Sequence, residues 1–461
     1  MSAGTVRTFR VLTYNIMHRL DALRSSKYFY CAPSVLKFPV RMSRIEKELL
    51  HHDPDILCLQ EAEQVSLDQL STSLGAGGYR KAVHMFNSTL PSGDGCAIFY
   101  RPEVFRLLST QTFRFNSLLD KWFSQHMHMT GTDVQWALWR ELKEKLNMAV
   151  IASFSLMPSG PVVHVVSTHL FWDPLFPDIK LLQAYILAKE VSAYCEEFAK
   201  SSPEKQPQGG CILAGDFNSV PYKVHADRYD PELPSLAARY QAPAKSGSRT
   251  LNQSLRHPPV PETHPPSSSP PSVAVARPGS PTPPSPFHVQ GFSMRTTRSA
   301  ADPPAEIAGS SEPTEQQGDK GRTDGDGDGV AVESESAEDV GRLYSGVYQL
   351  LTQGTVGADH PDHPVTRRHK IPMQAVPSLQ VQPYRSAYRE VFGQEPQFTN
   401  YTVAFKGCLD YLFFEGPDLV AVEAIKLPQE DALSQHTALP SALFPSDHLP
   451  LMAEFAMLAP Q

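Results

Sequence analysis

Apolar residues along this chain gather in short unbroken runs rather than in strict alternation. Residues 9–16 (FRVLTYNI), 56–61 (ILCLQE), 95–101 (GCAIFYR), 149–154 (AVIASF), 162–169 (VVHVVSTH) and 212–216 (ILAGD) each read as a strand, 56–61 and the Ile212 to Ala214 stretch as buried ones. Helical spacing separates them: residues 40–50 (VRMSRIEKELL), much of 118–146, and a long helix from Ile179 to Phe198. Gly215 predicts a tight turn after the last run, and Pro221 stops any continuing ladder.

Four of the runs share an ending. Their terminal positions are Asn15, Glu61, His169, and Asp216 followed two residues later by Asn218. A carboxylate at the end of a buried strand is costly unless it is paired or binds a cation, so Glu61 gives the first hint of metal. With a strand period of two, Asp216 and Asn218 project to one spot, where a carboxylate can hold or deprotonate a water and an amide can orient it. One functional edge served by several strands is the economical reading.

From about residue 223 the pattern changes. Residues 258–287 hold twelve prolines, and residues 301–340 hold twelve acids against Lys320 and Arg322. Such a stretch buries too little apolar surface to offset its ordering entropy, so roughly 240–340 is expected to be disordered. Its Asp324, Asp326, Asp328 and Glu335 match the spacing of a calcium loop, but no amphipathic helices flank them and the acidic composition accounts for the match. Order resumes with a short helix at 343–351 and two strand-like runs, 398–401 and 405–414, the second carrying Asp410 among aromatics. Asp447 and His448 then precede a last strand, 451–455. The expected organisation is one α/β domain built from 1–222 and 343–461, with 223–342 as an insertion.

Charge adds one correction to this picture. The net charge of −8 comes from the acidic tract, so the ordered part is close to neutral and advertises no broad nucleic-acid patch. The six cysteines are scattered without C-x-x-C spacing and read as free thiols of a reducing compartment. No run approaches the length of a membrane span, so the expectation is a soluble protein with no membrane contact, cytoplasmic, with the nucleus as the alternative.

Taken singly, His169 and His448 could be satisfied core histidines, Glu61 a helix-cap partner and Asp410 a buried turn former. Together with Asn15, Asp216 and Asn218 they make a set that few folds hold without chemistry. The sequence has no Gly-rich phosphate loop, no G-x-S-x-G elbow and no Cys/His cluster, which argues against a P-loop enzyme, a serine hydrolase and a zinc enzyme.

Thr13-Tyr14-Asn15, Leu59-Gln60-Glu61, Thr168-His169-Leu170, Gly215-Asp216-Phe217-Asn218, Leu409-Asp410-Tyr411 and Ser446-Asp447-His448 occur in order. In this the chain resembles the endonuclease/exonuclease/phosphatase superfamily, and within it the deadenylase branch of carbon catabolite repressor 4 type deadenylases, nocturnin, Angel proteins and the 2′,5′-phosphodiesterase. Branch features are Asp94 to Tyr100, His169 to Pro174 with Asp178, Lys180 and Gln183, Phe398 to Asn400 before Gly407 to Tyr411, and Pro445 to Pro450. The resemblance implies a four-layer α/β sandwich, two packed mixed β-sheets flanked by helices, with magnesium or alternatively manganese in a cleft. It implies Glu61 as principal metal ligand with Asn15, Asp216 and Asp410, and Asp216 and Asn218 as the groups that activate and place the attacking water. His448, oriented by Asp447, and His169 would contact the scissile phosphate; Phe405 would stack a base, and Asn147 and Trp172 would join Asn218 in binding substrate.

The implied function is a magnesium-dependent 3′→5′ exoribonuclease that shortens poly(A) tails and releases AMP. A 2′,5′-oligoadenylate phosphodiesterase and a 2′-phosphatase or cyclic phosphatase are alternatives within the same chemistry, and a non-catalytic RNA- or protein-binding scaffold is the alternative of another class. No leucine-rich repeat precedes the domain, so scaffold docking through one is not expected; the 223–342 insertion is the candidate surface for a protein partner.

Overall fold

The structure, a computed structural model, describes residues 7–23, 27–88, 93–127, 133–201, 207–223, 343–368 and 371–458. The disorder expected over roughly 240–340 and the calcium-like spacing within it lie outside the described residues.

Eight strands precede residue 224: β1 (Arg7–Asn15), β2 (Ile56–Gln60), β3 (Arg80–Phe86), β4 (Gly95–Tyr100), β5 (Phe105–Arg114), β6 (Met148–Leu156), β7 (Val162–His169) and β8 (Gln208–Asp216). Eight follow residue 342: β9 (Thr355–Val356), β10 (Leu379–Gln380), β11 (Arg385–Ser386), β12 (Asn400–Tyr401), β13 (Lys406–Gly407), β14 (Asp410–Glu415), β15 (Leu419–Ala424) and β16 (Leu451–Met457). They build two six-stranded sheets, ordered β15-β16-β1-β2-β4-β3 and β11-β14-β8-β7-β6-β5, and two small pairs, β9 with β10 and β12 with β13. Both large sheets are mixed: β1 runs parallel to β2 and β7 parallel to β8, while the other pairs are antiparallel. Strands from either side of 224–342 therefore pair within each sheet.

The continuous apolar runs have their explanation in the layering. Phe9, Val11, Ile56, Cys58 and Ile98 of one sheet meet Val150, Ala152, Val163, Val165, Ile212 and Ala214 of the other in the central core. The opposite faces of the same strands, Leu12, Tyr14, Leu57 and Leu59 on one side and Ile151, Val166 and Leu213 on the other, pack under helices. The first sheet is covered by Phe38–His52 and Gln64–Ala76, the second by Leu119–Met127, Asp133–Glu144, Pro177–Ser201 and Gly346–Gln353. Helices, sheet, sheet and helices make four layers, as the resemblance implied.

Some elements were not legible in the pattern. The strands β3 and β5 are laced with exposed polar residues and lie at sheet edges, so they lack the apolar run that marks the central strands. The 405–414 run is two elements, β13 and β14, separated at Cys408 and Leu409. Gly215 does not make a turn: it lies within β8 at φ +156, in register with Thr168, where a Cβ would stand 2.1 Å from the Thr168 carbonyl oxygen. Glycine is required there by close backbone approach.

Candidate active site

The two parallel pairs carry chemistry at their carboxyl ends. β1 ends at Asn15 and its parallel neighbour β2 runs into Glu61; β7 ends at His169 in register with Asp216, the last residue of β8. The antiparallel β14 starts at Asp410, directly opposite Asp216. His448 lies in the loop leading into β16, and a backbone bridge ties it to Asn400. Five strands and one loop thus deliver Asn15, Glu61, His169, Asp216, Asp410 and His448 to one end of the sandwich.

The cluster is tightly bonded. The Asn15 amide nitrogen donates to Glu61 Oε1 at 2.9 Å and to Asp216 Oδ2 at 3.0 Å, while its Oδ1 accepts the Met17 N–H at 3.0 Å. Asn15 therefore links two carboxylates with its nitrogen and turns its oxygen to the backbone. Glu61 sits at φ +56 just beyond β2, and its Oε2 accepts the His18 N–H at 2.6 Å. A non-glycine residue in this left-handed region is held by its surroundings, and here the two bonds to Glu61 do the holding.

Asp216 and Asn218 are joined by a turn rather than by strand alternation. The Asn218 N–H donates to Asp216 Oδ1 at 2.8 Å, with Asn218 at φ +49, and the Asn218 side-chain amide donates to the Leu170 carbonyl at 3.0 Å. Burial and then the neighbouring Asp410 charge raise the Asp216 pKa, opposed by His448, His169 and the Asn15 hydrogen bond.

His448 donates through Nδ1 to Asp410 Oδ2 at 2.7 Å, and its Nε2 lies 3.7 Å from Asp216 Oδ2. Burial alone would depress its pKa, but the Asp410 and Asp216 carboxylates together outweigh it and lift the value to about 10, so the ring is charged at neutral pH. Asp447 does not orient His448. Its Oδ2 accepts from Tyr28 Oη at 2.6 Å and Lys27 Nζ at 3.2 Å. Burial opposes its ionisation, yet Lys27, His448 and the Tyr28 bond hold its pKa down to about 2. Successive residues in the loop point to different neighbours, and the partner of the ring comes from β14. His169 Nε2 stands 3.5 Å from Asp216 Oδ2.

Asn147 is a support at this end of the fold: its Nδ2 donates to the His169 carbonyl at 3.1 Å and its Oδ1 accepts from Gln183 at 3.2 Å. Trp172 is two-thirds exposed on the loop after β7. Phe405 projects from the β12–β13 hairpin and lines a groove of about 1280 Å³ together with Pro174, Lys180 and Asn218. That groove lies beside the carboxylate cluster and shares Asn218 with the site.

Thr399, part of the Phe398 to Asn400 motif, and Arg41 are supports whose role the sequence did not announce. Thr399 Oγ1 donates to Asp410 Oδ2 at 2.6 Å and accepts the Asp410 N–H at 3.1 Å. Arg41, almost wholly buried, donates to the carbonyls of Pro445, Ile16 and Met17 and so ties the loop after Asn15 to the loop before His448. Its one signal was an arginine at a buried position of an amphipathic helix.

The residues present fit a divalent cation. Asp216, Asp410 and His448 offer atoms within 4.8 Å of one another, and Asp410 Oδ1 is buried with no hydrogen-bond partner among the described residues. Oxygen atoms of Asp410 and Asp216, with Glu61 joined to Asp216 through Asn15, would supply hard donors of the kind that suits a hard ion.

Known proteins carry the same plan. The chain is 25% identical over 465 residues to the CCR4-Not complex 3′-5′-exoribonuclease subunit Ccr4 of Neurospora crassa, covering 98% of this chain and 46% of that protein. It is 31% identical over 222 residues to the subunit of the same name from Candida albicans, covering 46% of this chain and 27% of that protein. The chain thus spans about half or less of these relatives. A solved structure of ANGEL2, described as a 2′,3′-cyclic phosphatase in complex with adenosine-2′,3′-vanadate, has the same fold at a TM-score of 0.58 and 19% identity, over 99% of this chain and 98% of that one. The sequence profile of the endonuclease/exonuclease/phosphatase family matches residues 12–288, more than half of the chain, and the chain belongs to that family.

Proposed function

We propose that the chain hydrolyses phosphodiester bonds at RNA 3′ ends with the help of magnesium, poly(A) being its substrate and AMP its product. The observation that carries this reading is the juxtaposition of Asp216, Asp410 and His448 within 4.8 Å, beside a groove lined by Asn218 and Phe405. The Ccr4 relatives, named as 3′-5′ exoribonucleases, support the choice of reaction.

Magnesium held by Glu61, Asp216 and Asp410 would neutralise charge on the phosphoryl oxygens; manganese is the alternative ion. Asp216, with its raised pKa, accepts a proton from the attacking water. Asn218, pinned through its backbone and its Nδ2, presents Oδ1 to that water. His448, kept protonated by Asp410, donates through Nε2 to the charge that develops on the phosphate, and His169 supplies a second donor. Phe405 offers an exposed ring to a base, a contact worth roughly 1–3 kcal/mol.

Incubation of the protein with 3′-labelled and internally labelled poly(A) and Mg²⁺, followed by chelator, tests this reading. Stepwise release of AMP that stops on chelation is expected. No shortening, or shortening indifferent to chelator, rejects it. Including 2′,5′-oligoadenylate, 2′-phosphorylated nucleotides and 2′,3′-cyclic phosphate ends in the panel separates poly(A) hydrolysis from other reactions of the same cluster.

A further inference from the structure

Lys180 stands apart from the residues discussed so far. It lies in the first turn of helix Pro177–Ser201, flanked by the buried Ile179 and Leu181, and is itself only 5% exposed. Its Nζ donates to the Asn218 carbonyl at 2.7 Å, and among the described residues no carboxylate is in ion-pair contact with it. Asp362, Asp216 and Asp173 act on it through space, while Lys223 takes the direct contact with Asp362 Oδ1 at 2.5 Å. Burying an ammonium group without a paired carboxylate is costly, and burial pushes the Lys180 pKa down to about 8. A leucine or methionine would fill the same helical position without that cost.

What the ammonium does is visible at its partner. Asn218 is a non-glycine residue at φ +49, a conformation that persists where the surroundings over-determine it. Three bonds do so: its N–H goes to Asp216 Oδ1, its Nδ2 to the Leu170 carbonyl, and its carbonyl oxygen to Lys180. The first two come from the strands that carry the site. The third comes from the helical layer, and it leaves Asn218 Oδ1 as the atom free to meet the groove that Lys180 and Asn218 both line.

We infer that Lys180 is a positioning residue for hydrolysis: by holding the Asn218 carbonyl it fixes the amide that orients the attacking water. It touches neither water nor phosphate and acts through Asn218. The inference rests on the reading of Asp216 and Asn218 as the hydrolytic centre.

The test is a double-mutant cycle in the full chain with Lys180→Met, Asn218→Ala and the pair, on whichever substrate of the panel the wild type turns over. Each variant is monitored for melting temperature and for separate kcat and KM values. Lys180→Met is expected to lower kcat by roughly tenfold to a hundredfold with KM within about twofold, since small misplacement of a reacting group costs rate rather than binding. In the Asn218→Ala background the same substitution should cost little more. Should Lys180→Met fail to fold, Lys180→Gln, which keeps a donor without the charge, takes its place; it is expected to retain more activity than Lys180→Ala at equal melting temperature. Additive losses in the cycle, or a raised KM with kcat unchanged, overturn the inference and make Lys180 a substrate contact instead. An Asn218→Ala variant as active as the wild type overturns the underlying reading of the centre, a different outcome from either.

Discussion

The Asp410→Asn substitution goes to the centre of the site, because it removes a charge while keeping the size of the side chain and an oxygen beside His448. In the folded chain the His448 pKa stands at about 10 against an ordinary 6.5. At about 1.4 kcal/mol per pH unit, that is a preference of roughly 5 kcal/mol for the charged ring. Asp410 is the largest of the contributions that raise it, both through its charge and through the 2.7 Å bond to Nδ1. An asparagine keeps an oxygen for that bond and loses the charge, so the ring should titrate at least roughly two pH units lower. Turnover at neutral pH should fall by roughly a hundredfold or more, the scale of losing the orienting carboxylate behind a catalytic histidine. Stability follows the same sign. A pKa raised on folding contributes stability that is full below 6.5 and lost as pH rises through about 10, so the melting-temperature gap between wild type and variant should narrow across that window. The assay is a proton–carbon NMR titration of the histidine rings in chelator-treated protein, with Asp447→Asn as the control. If Asp447→Asn moves the His448 titration as far as Asp410→Asn does, or if Asp410→Asn leaves it unmoved, the pairing described here is wrong.

Glu61→Ala should weaken metal binding so that excess Mg²⁺ restores part of the activity, whereas His448→Ala should lose about a hundredfold in kcat that added Mg²⁺ does not restore; magnesium titrations of the two variants check this. Phe405→Ala should raise KM for poly(A) by roughly five- to a hundredfold, in keeping with a stacking contact of about 1–3 kcal/mol, while leaving the melting temperature nearly unchanged. Replacing 224–342 by a short Gly/Ser bridge should preserve folding, because the Lys223 N–H already donates to the Leu343 carbonyl at 2.8 Å and the Tyr222 and Tyr344 rings stack at 4.8 Å; thermal melts of the two chains are the comparison. Glu48, buried under Tyr14 Oη at 3.0 Å, has a pKa raised by burial to about 8, so its favourable protonated state is lost as pH rises from 4.5 through 8. Glu48→Gln should therefore melt higher than wild type at pH 9 and match it near pH 4.5, as followed by circular dichroism.

The strands that bring the site together were readable because both their faces are covered, which leaves polar residues only at their ends. Asn15, Glu61, His169 and Asp216 announced themselves in that way. Side-chain direction within a loop was not readable: Asp447 and His448 are neighbours in sequence, but Tyr28 and Lys27 capture one and Asp410 the other. Those partners are separated by 38 to 420 residues, and no local spacing encodes them. Lys180 was visible as part of a branch motif, but its contact was not, for a similar reason. A lysine in the first turn of a helix reads as a solvated charge until the turn that it reaches is known.

Sheet order has a consequence for when the chain can work. β1 lies between β2 and β16, and β8 lies between β7 and β14, so strands made earlier wait for partners made later. Asn15 leaves the ribosome more than four hundred residues before His448, and Asp216 nearly two hundred before Asp410. Until β16 has been made, β1 keeps an unpaired edge in the first sheet and the loop that carries His448 is not anchored beside Asp410 and Asp216. A chain interrupted between Asp410 and β16 already carries Asn15, Glu61, His169, Asp216 and Asp410 but not the assembled cluster, so the order of synthesis delays the site until β16 is in place.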